Sequence, residues 1–514
     1  MPCPALLKRP PPAAALLTTV AVAVLAGLLA AGCGAQGTGR PIPPDAIRVE
    51  VGPRPVTGPL PGGFIGLSIE YSSALAYAGE PGQLNPVFLA LVRGLDRGQS
   101  PVLRFGGDTT DWTWWPVPGM ARPKGIRESL TPHWLATTAA LTRALDARLI
   151  LGINFEADSP RIAGTEARAL VQAIGAASVA GLELGNEPEA YSTLGWYSLH
   201  HTIPVFGRPP TYGFTAYLRD YSAVAGVLPP GVPVAGPASG APDWLSGLSR
   251  FLTANPRVRM ATFHRYPLHR CATPRSSIAY PTIANLLAPV ASSGPATSLA
   301  AAVGAAHSHG VGFRADELNS VSCGGAAGVS DTFASALWIM DTLFNMDRVG
   351  VDGVNIHTFR SGRYAPFTFR HRAGRWSAQV RPLYYGLLMF SRAAPPGSRL
   401  LPTRHPGGPA LRIWATRGRD NRLRVLLIND ALDRAATIAV RLPSAAAPAE
   451  LERLTAPGIR ARHGLRLAGQ AFASPTLTGA LAGVAHATRV APQRGRYVLR
   501  LPAASAALLT TASG

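Results

Sequence analysis

The chain contains 514 residues, of which 47% are hydrophobic and 15% are charged. This composition provides enough apolar material for a core and excludes disorder along the whole chain, and the length allows one large domain or two to three smaller ones. The formal net charge of +21 first suggests a polyanionic partner such as nucleic acid. Nearly all of this charge is arginine, because Lys8 and Lys124 are the only lysines, and such a bias is typical of genomic codon usage.

The N-terminal segment has the composition of a targeting signal. A positively charged start is followed by an apolar run over residues 13–31 and by small residues before Cys33. These features predict a secretory signal over residues 1–33, and the position of Cys33 resembles a bacterial lipoprotein signal in which this cysteine is lipidated. A plain secretory signal and a retained membrane anchor are the alternatives. We expect the protein outside the cytoplasm, lipid-anchored at the cell surface or secreted, after a linker over residues 34–45.

The cysteines fit such a compartment. Of the four in the chain, Cys3 lies in the signal segment and Cys33 is the candidate lipidation site. Only Cys271 and Cys323 remain, and cysteines in an oxidising compartment commonly pair. The sequence therefore predicts a Cys271–Cys323 disulfide.

Eight short apolar runs recur along the chain, with segments long enough for a helix between them. This alternation predicts an α/β fold, a (β/α)8 TIM barrel over residues 61–390. One intervening helical pattern covers residues 330–344, and Ser330 or Asp331 is its candidate N-cap. The eight runs are Phe64–Glu70, Pro101–Gly107, Ala147–Phe155, Val179–Glu187, Val232–Ala238, Val258–Tyr266, Gly312–Asn319 and Gly350–Phe359.

The last quarter of the chain has a different pattern. Short apolar runs separated by turn residues, without a strong helical period, predict a C-terminal antiparallel β-sandwich over residues 391–514. Residues 46–60 are also strand-like and are expected to join this sandwich.

Two glutamates end predicted barrel strands. Glu187 closes the fourth strand and Glu317 closes the seventh. Catalytic groups of TIM barrels lie at the C-terminal ends of the strands, so both carboxylates can face one pocket. Retaining glycoside hydrolysis needs two such carboxyl groups about 5–5.5 Å apart. Pro188 restricts Glu187, and the sequence predicts an extended backbone for this glutamate.

Four motifs stand out along the chain, namely Leu103–Asp111 (LRFGGDTTD), Glu183–Pro188 (ELGNEP), Glu317–Ala334 with its ExNS and glycine-rich elements, and Pro382–Gly386 (PLYYG). Together they resemble glycoside hydrolase family 79, which contains β-glucuronidases and heparanase-like enzymes. The resemblance covers about residues 46–514. It implies a retaining, exo-acting β-glycosidase with a carbohydrate substrate, most simply a β-glucuronidase, and no cofactor or metal.

The resemblance also implies roles for individual residues. Glu187 corresponds to the general acid/base and Glu317 to the nucleophile, while Asn186 is expected to bond the sugar 2-hydroxyl. The remaining substrate-binding candidates are Glu70, Asp108, Tyr266, His357 and Tyr364. Two interpretations stay open for Glu70 and Asp108: they bind distal sugar hydroxyls, or they pair with Arg104. His264 and His269 are interpreted as packing or loop residues, and Trp112, Trp114 and Trp115 as either a sugar platform or a buried anchor.

One position departs from the family pattern. Family members that act on glucuronides can carry a tyrosine five residues after the nucleophile, where this chain has Ser322. The backbone amides of Cys323, Gly324 and Gly325 are an alternative site for a substrate carboxylate. Another sugar specificity, such as glucosidase, xylosidase or arabinofuranosidase, is therefore an alternative, and a non-catalytic glycan-binding protein is a third.

The net charge is unevenly distributed. Residues 391–514 contain 18 arginines and five acidic residues, so this segment alone carries +13 of the total +21. Codon usage does not explain this asymmetry. We expect the sandwich to contact an anionic surface or polysaccharide, whereas a nucleic-acid partner is not expected for a secreted chain without a binding motif.

Overall fold

The computed structural model describes residues 41–96, 98–271, 273–443 and 447–512. The predicted signal over residues 1–33, including Cys33, and most of the linker lie outside the described residues. Within the described ranges, every helix is too short or too polar to cross a membrane.

Eight parallel strands form a closed barrel and follow one another around it in sequence order, which confirms the predicted (β/α)8 fold. Each strand lies within one of the predicted apolar runs, and their buried faces supply most of the main hydrophobic core. In order, the barrel strands are Ile65–Glu70, Val102–Gly106, Arg148–Ile153, Val179–Leu184, Val234–Ser239, Val258–Arg265, Gly312–Leu318 and Gly353–Thr358.

A principal helix follows each strand and packs outside the barrel. Thr131 and Ser159 begin two of them as N-caps, each accepting a hydrogen bond from the amide three residues ahead, which satisfies a donor that the helix cannot. The principal helices are Pro86–Asp96, Pro132–Leu145, Pro160–Ile174, Phe214–Ala225, Leu248–Ala254, Pro289–Ser308, Phe333–Arg348 and Pro382–Ala393, and shorter ones are Ala74–Ala78, Pro242–Leu245 and Ile283–Leu287.

The seventh helix, Phe333–Arg348, is buried along nearly its whole length, because the helices Pro289–Ser308 and Pro382–Ala393 flank it and Trp414 of the sandwich stacks on its Phe344. The prediction that Ser330 or Asp331 caps it is wrong. The helix starts after Thr332 without a side-chain cap, and its first amides, those of Phe333 and Ala334, donate to sandwich carbonyls. A tertiary contact thus replaces the local cap, which the local sequence pattern does not reveal.

The sandwich consists of two sheets around a second hydrophobic core that includes Val49, Val425 and Ile438. Its pairings are antiparallel except that the N-terminal strand Ile47–Val51 runs parallel to Ala436–Arg441, so the predicted strand before the barrel does lie in this sheet. The four-stranded sheet contains Thr403–Arg404, Ile47–Val51, Ala436–Arg441 and Tyr497–Leu501; the seven-stranded sheet contains Arg399–Leu401, Leu411–Arg417, Leu423–Asn429, Ser505–Thr510, Ala449–Thr455, Arg466–Leu467 and Thr488–Val490.

Short two-stranded sheets decorate the loops. The loop after the fourth barrel strand carries the hairpin Gly195–Leu199 and Ile203–Phe206, and the loop after the eighth carries Phe367–Arg372 and Arg375–Val380. The other pairs are Gly79–Glu80 with Gln83–Leu84, Thr113–Trp114 with Glu128–Ser129, and Ala471–Phe472 with Leu481–Ala482.

Candidate active site

A cavity of about 980 Å³ opens at the C-terminal ends of the barrel strands. It collects side chains that lie far apart in the sequence. Of the predicted site residues, it is lined by Glu70, Asp108, Glu187, Tyr266, Glu317, Ser322, Gly324, His357 and Tyr364. Asn186 instead lines a side chamber of about 90 Å³ that shares Asp108 and Glu187 with the main cavity.

The two strand-ending glutamates face each other across this cavity. One carboxylate oxygen of Glu187 and one of Glu317 lie within 4.8 Å of each other, and His264 contributes a ring nitrogen within the same distance. This separation is close to the ~5–5.5 Å of retaining glycosidases and shorter than the ~6.5–9.5 Å that inverting enzymes need to accommodate a water molecule.

Glu317 is 6% exposed and each of its oxygens has a defined donor. Arg104 donates from Nη1 to Oε2 over 2.7 Å, and Tyr266 donates from its hydroxyl to Oε1 over 2.8 Å. His357 Nδ1 lies 3.4 Å from Oε2. These contacts fix the carboxylate in one orientation, as a nucleophile requires.

The same neighbours keep Glu317 ionised. Burial by itself raises the pKa of this carboxyl, but the positive charges of His357, His264 and Arg104 outweigh burial and hold the pKa well below its ordinary value. A carboxylate that stays ionised is the state that attacks an electrophilic carbon.

Glu187 departs from the backbone predicted for it. Its φ is +46° and its ψ is 56°, in the left-handed region, so the prediction of an extended residue before Pro188 is wrong. The Glu187 amide donates to the carbonyl of Ala238 over 2.9 Å, and its carbonyl accepts from the amide of Ala190. These bonds, together with the tight turn Pro188–Ala190, hold a conformation that costs a non-glycine residue about 1–3 kcal/mol.

The side chain of Glu187 also depends on a close approach by the next loop. A Cβ atom on Gly240 would lie 3.1 Å from Glu187 Oε1, so glycine at this position leaves room for the carboxylate. Strain and close packing together aim Glu187 into the cavity.

His264 is a site residue that the sequence interpretation assigned to packing. Its Nδ1 lies 2.9 Å from Glu187 Oε1, and the ring is buried. Burial lowers the pKa of His264, but the charge of Glu317 and the hydrogen bond to Glu187 outweigh it and raise the pKa to about 9. At neutral pH the imidazolium therefore donates to Glu187, and this pair holds a proton at the mouth of the site.

Arg104 forms the floor of the cavity and is fully buried. It contacts Glu317 and Asn186 above, and Glu183 and Asp316 below. The alternative in which Arg104 pairs with Glu70 and Asp108 is not what the structure shows. A charged residue inside an apolar strand needs buried partners. The charged residues Arg104, Glu183 and Asp316 within the apolar strand patterns therefore could have indicated this cluster from the sequence.

Glu70 belongs to a second set of contacts at the first strand. Its Oε2 accepts from the amide and the hydroxyl of Thr109, and its Oε1 lies 3.3 Å from His357 Nε2. Gly107 has a φ of +83°, and a Cβ at this residue would collide with the Glu70 carboxylate. The second glycine of the RFGGD segment, Gly107, is thus required for the position of the Glu70 carboxylate.

Asn186 is held from both sides. Its Oδ1 accepts from Arg104 Nη2 over 3.1 Å, and its Nδ2 donates to Asp108 Oδ1 over 3.3 Å. Burial, and then the charges of Glu70, Glu317 and Glu187, raise the pKa of Asp108 to about 7. Asp108 therefore carries a proton at slightly acidic pH and can donate a hydrogen bond to a bound hydroxyl.

The loop after strand seven borders the cavity on the side of Tyr266 and Tyr364, whose rings lie 6.2 Å apart. The Ser322 hydroxyl lies 3.2 Å from His269 Nδ1. A disulfide joins Cys323 to Cys271, the pair expected from the sequence, and thereby ties this loop to the loop after strand six.

The three tryptophans after strand two have different positions. Trp112 lines the cavity, whereas Trp114 is buried in a small separate core. Arg127 stacks over Trp112 at 3.5 Å from the ring centroid. Trp114 thus matches the anchor interpretation. Trp112 lies between the cavity and this small core with one ring face covered by Arg127, and Trp115 packs against the main core.

The donor atoms of Glu187, His264 and Glu317 are spaced closely enough to surround a cation. However, Arg104 and His357 already place positive charge against Glu317, and Glu187 accepts from His264. Positive neighbours disfavour a bound cation. We therefore interpret the cluster as proton-transfer machinery.

No protein-family model matches the sequence, and no curated protein matches it. Solved structures nevertheless share the fold over about nine-tenths of the chain. A 4-O-α-L-rhamnosyl-β-D-glucuronidase from Fusarium oxysporum is 20% identical, with a TM-score of 0.69 over 90% of this chain and 100% of its own. A family 51 arabinofuranosidase from Xanthomonas axonopodis pv. citri is 14% identical, with a TM-score of 0.63 over 90% and 99%.

A third similar structure is an α-L-arabinofuranosidase from Thermotoga maritima. It is 15% identical, with a TM-score of 0.63 over 91% of this chain and 100% of its own. At such low identities the likeness shows a common fold. It agrees with the closed barrel and the associated sandwich seen in the structure.

Proposed function

We propose that the protein is a retaining, exo-acting β-glycosidase that hydrolyses β-D-glucuronides. The observation that carries this proposal is the pair Glu187 and Glu317, whose oxygens lie within 4.8 Å of each other. One member is held ionised, and the other is hydrogen-bonded to His264. Two carboxyl groups at this spacing with opposite roles are what double displacement requires.

In the first half of the reaction, Glu317 Oε attacks the anomeric carbon and forms a glycosyl ester. The bond between that carbon and the leaving oxygen breaks, and the leaving oxygen takes up the proton that passes from His264 Nδ1 through the Glu187 carboxyl group. Asn186 is positioned by Arg104 to bond the sugar 2-hydroxyl, a contact that strengthens in the transition state.

In the second half, water replaces the leaving group. Glu187, now ionised, accepts a proton from this water, whose oxygen attacks the anomeric carbon and releases Glu317 as a carboxylate. Two inversions give net retention. Arg104 and Tyr266 then again bind the free carboxylate of Glu317.

The glucuronide specificity is supported by the loop after Glu317. Cys323, Gly324 and Gly325 have φ values of 56°, 81° and 85°, and none of the three amides donates to a described protein acceptor. Successive backbone amides that are unpaired in a turn can bind an anion. Gly324 lies on the cavity wall with Tyr364, so a substrate carboxylate has donors in the absence of a tyrosine at Ser322.

The experiment compares an aryl β-glucuronide with the matching aryl β-glucoside, β-xyloside and α-L-arabinofuranoside. Wild type should prefer the glucuronide, and NMR should detect the β-anomer as the first product. Glu187→Gln and Glu317→Gln should each lower kcat/KM by at least about 1,000-fold, whereas the exposed Glu128→Gln serves as a matched control. Activity that survives both active-site substitutions contradicts the proposal.

The cellular location is a separate part of the proposal. We infer an extracytoplasmic protein anchored through a lipid on Cys33, based on the small residues and the apolar run that precede this cysteine. Metabolic labelling with a fatty acid should mark the wild type and not Cys33→Ala. Labelling of both proteins contradicts lipidation at this residue.

A further inference from the structure

Three carboxyl groups surround one arginine beneath the cavity. Arg104 Nε lies 2.6 Å from Glu183 Oε2 and 2.9 Å from Asp316 Oδ2, while Nη1 lies 2.7 Å from Glu317 Oε2. The side chains of Arg104, Glu183 and Asp316 are completely inaccessible to solvent. Glu183 and Asp316 both lie against a single nitrogen of this guanidinium, so the protonation of these two buried carboxyl groups needs an explanation.

An irregularity in strand seven makes the cluster possible. Adjacent residues of a regular strand point to opposite faces, yet Asp316 and Glu317 both reach Arg104. The pairing register with strand eight shifts between Ala315 and Leu318. A bulge of this kind re-aims side chains, and here it brings two consecutive carboxyl groups to the same side.

Three of the four carboxyl oxygens of Glu183 and Asp316 have no hydrogen-bond donor within the described part of the chain. Among the described groups, no donor bonds Glu183 Oε1 or either oxygen of Asp316, although all three atoms are buried. Buried polar atoms in proteins are nearly always hydrogen-bonded. Glu183 Oε2 and Asp316 Oδ2 lie 2.6 and 2.9 Å from the same Arg104 Nε. Two buried carboxylates this close to one nitrogen repel each other unless one of them carries a proton.

The geometry around Arg104 identifies which member carries this proton. Nε donates a well-aligned hydrogen bond to Glu183, whereas Asp316 is close to the same nitrogen but accepts no such bond. Burial, followed by the charge of Glu183, raises the pKa of Asp316 well above its ordinary value. Burial also raises the pKa of Glu183, but the charge of Arg104 outweighs it and lowers that pKa.

We propose that Glu183 and Asp316 hold one proton between them and act as a positioning pair for the nucleophile. Asp316 donates its O–H to the Glu183 carboxylate, and the single remaining negative charge fixes Arg104 so that it binds Glu317 and Asn186. The catalytic consequence rests on the proposed glycosidase function, whereas the protonation itself does not.

The pair is also coupled to the proton at the cavity mouth. Asp316 Oδ1 lies 3.9 Å from His264 Nε2. A second negative charge, on Asp316, would therefore raise the pKa of His264 and alter the pH range of catalysis. The titratable groups that respond to the charge of this pair are Tyr71, Arg104, Tyr217, Tyr221, His264, Arg314 and, through Arg104, Glu317.

Infrared difference spectroscopy tests the protonation directly, without substrate. At pH 7 the spectrum of wild type minus Asp316→Asn should contain the C=O band of one protonated carboxylic acid. The band should be insensitive to solvent exchange on the time scale of minutes because the group is buried. An absence of this band overturns the proposal, whatever the enzyme does with sugars.

Kinetics test the positioning role. Asp316→Ala removes the donor, and kcat should fall by about 100-fold. Asp316→Asn keeps a hydrogen-bond donor but cannot ionise, so its kcat should be at least tenfold higher than that of Asp316→Ala. The alkaline limb of its kcat/KM profile should lie at the same pH as in the wild type. The double variant Glu183→Gln, Asp316→Asn lacks the negative charge, and its alkaline limb should move to lower pH.

Two kinetic results overturn the proposal. If Asp316→Asn itself moves the alkaline limb to lower pH, Asp316 is ionised in the wild type. If Asp316→Asn is as impaired as Asp316→Ala, the donor has no positioning role. Should the wild type hydrolyse none of the glycosides, the glycosidase proposal fails while the infrared measurement still decides the protonation.

Discussion

The Nδ1 atom of His264 lies 2.9 Å from Oε1 of Glu187. A buried imidazolium thus donates to the carboxyl group proposed as acid/base, and a single proton serves both residues. His264 comes from strand six and Glu187 from the end of strand four, so neither position by itself indicates the pair. Their contact links the pH dependence of the site to the charge of Glu317, which is the largest favourable influence on the His264 pKa.

The first prediction concerns alkaline pH. The pKa of His264 is raised from 6.5 to about 9, so the fold favours its charged form. The contribution of protonated His264 to the free energy of unfolding is complete below about pH 6.5 and is lost as pH rises through about 9. We expect kcat/KM to decline across pH 9 in the wild type.

Replacement of this histidine provides the matched test. His264→Gln should lower kcat by about 100-fold and remove the decline near pH 9, as measured in a full pH–rate profile. His309→Gln changes an exposed histidine elsewhere and serves as the control. A profile of His264→Gln with the same alkaline limb as the wild type would show that another group sets it.

A second prediction concerns Asp108. Its pKa is raised to about 7, chiefly by burial and by Glu70, so it gains a negative charge as pH rises through 7. An anionic sugar should then bind less well. We expect KM for a glucuronide to rise between pH 6 and 8, while KM for a neutral glycoside changes little.

Asp108→Asn should abolish this pH dependence because the amide cannot ionise but still accepts from Asn186. Measurement of KM for both sugars at each pH separates the charge effect from a general loss of binding. If the glucuronide and the neutral glycoside respond to pH alike, Asp108 does not sense the substrate charge.

The third prediction concerns the disulfide at the cavity rim. Cys271 and Cys323 are 52 residues apart in sequence, and a cross-link of this span is worth about 4 kcal/mol through the unfolded state. Cys271→Ser with Cys323→Ser should lower Tm. It should also raise KM for a glucuronide by about tenfold, because Gly324 and its neighbours lose their attachment to the loop after strand six.

The size of the KM effect should depend on the sugar. A neutral aryl glycoside does not use the carboxylate-binding amides, so its KM should change less than that of the glucuronide. Treatment of wild type with a reductant should reproduce the double variant. Equal effects on the two sugars would place the carboxylate site elsewhere in the cavity.

The fourth prediction concerns the outer face of the four-stranded sheet. Arg48, Arg404, Arg441 and Arg500 are exposed on strands of this sheet, and the nearby Glu50 is engaged by Arg496 and Arg441. We propose that this face binds an anionic polysaccharide. Changing the four arginines to glutamine should shorten retention on a heparin column, and the effect should weaken with salt.

Four exposed arginines of the barrel provide the control for total charge, namely Arg143, Arg161, Arg219 and Arg250. Their replacement by glutamine lowers the net charge equally but leaves the sandwich face intact. Equal loss of retention in the two quadruple variants would mean that overall charge, and not this face, determines binding. Catalysis on a small aryl glycoside should be the same in both.

Several elements could be predicted because they depend on short-range patterns. Each barrel strand falls within an apolar run between turn residues, and Glu187 and Glu317 end two of these runs. In contrast, the start of the Phe333–Arg348 helix depends on two sandwich carbonyls. A local cap pattern cannot reveal a contact with a segment more than a hundred residues away.

The sequence by itself determined the eight-strand alternation, the following sandwich, the pair of carboxyl groups and the two cysteines that join. Only the tertiary structure decided the left-handed backbone of Glu187, the contact of His264 with it, and the burial of Glu183 and Asp316 around Arg104. Hydrophobic periodicity and chain order are local properties of a sequence. Protonation and strain depend instead on which charges and backbone atoms the closed barrel brings together from distant strands.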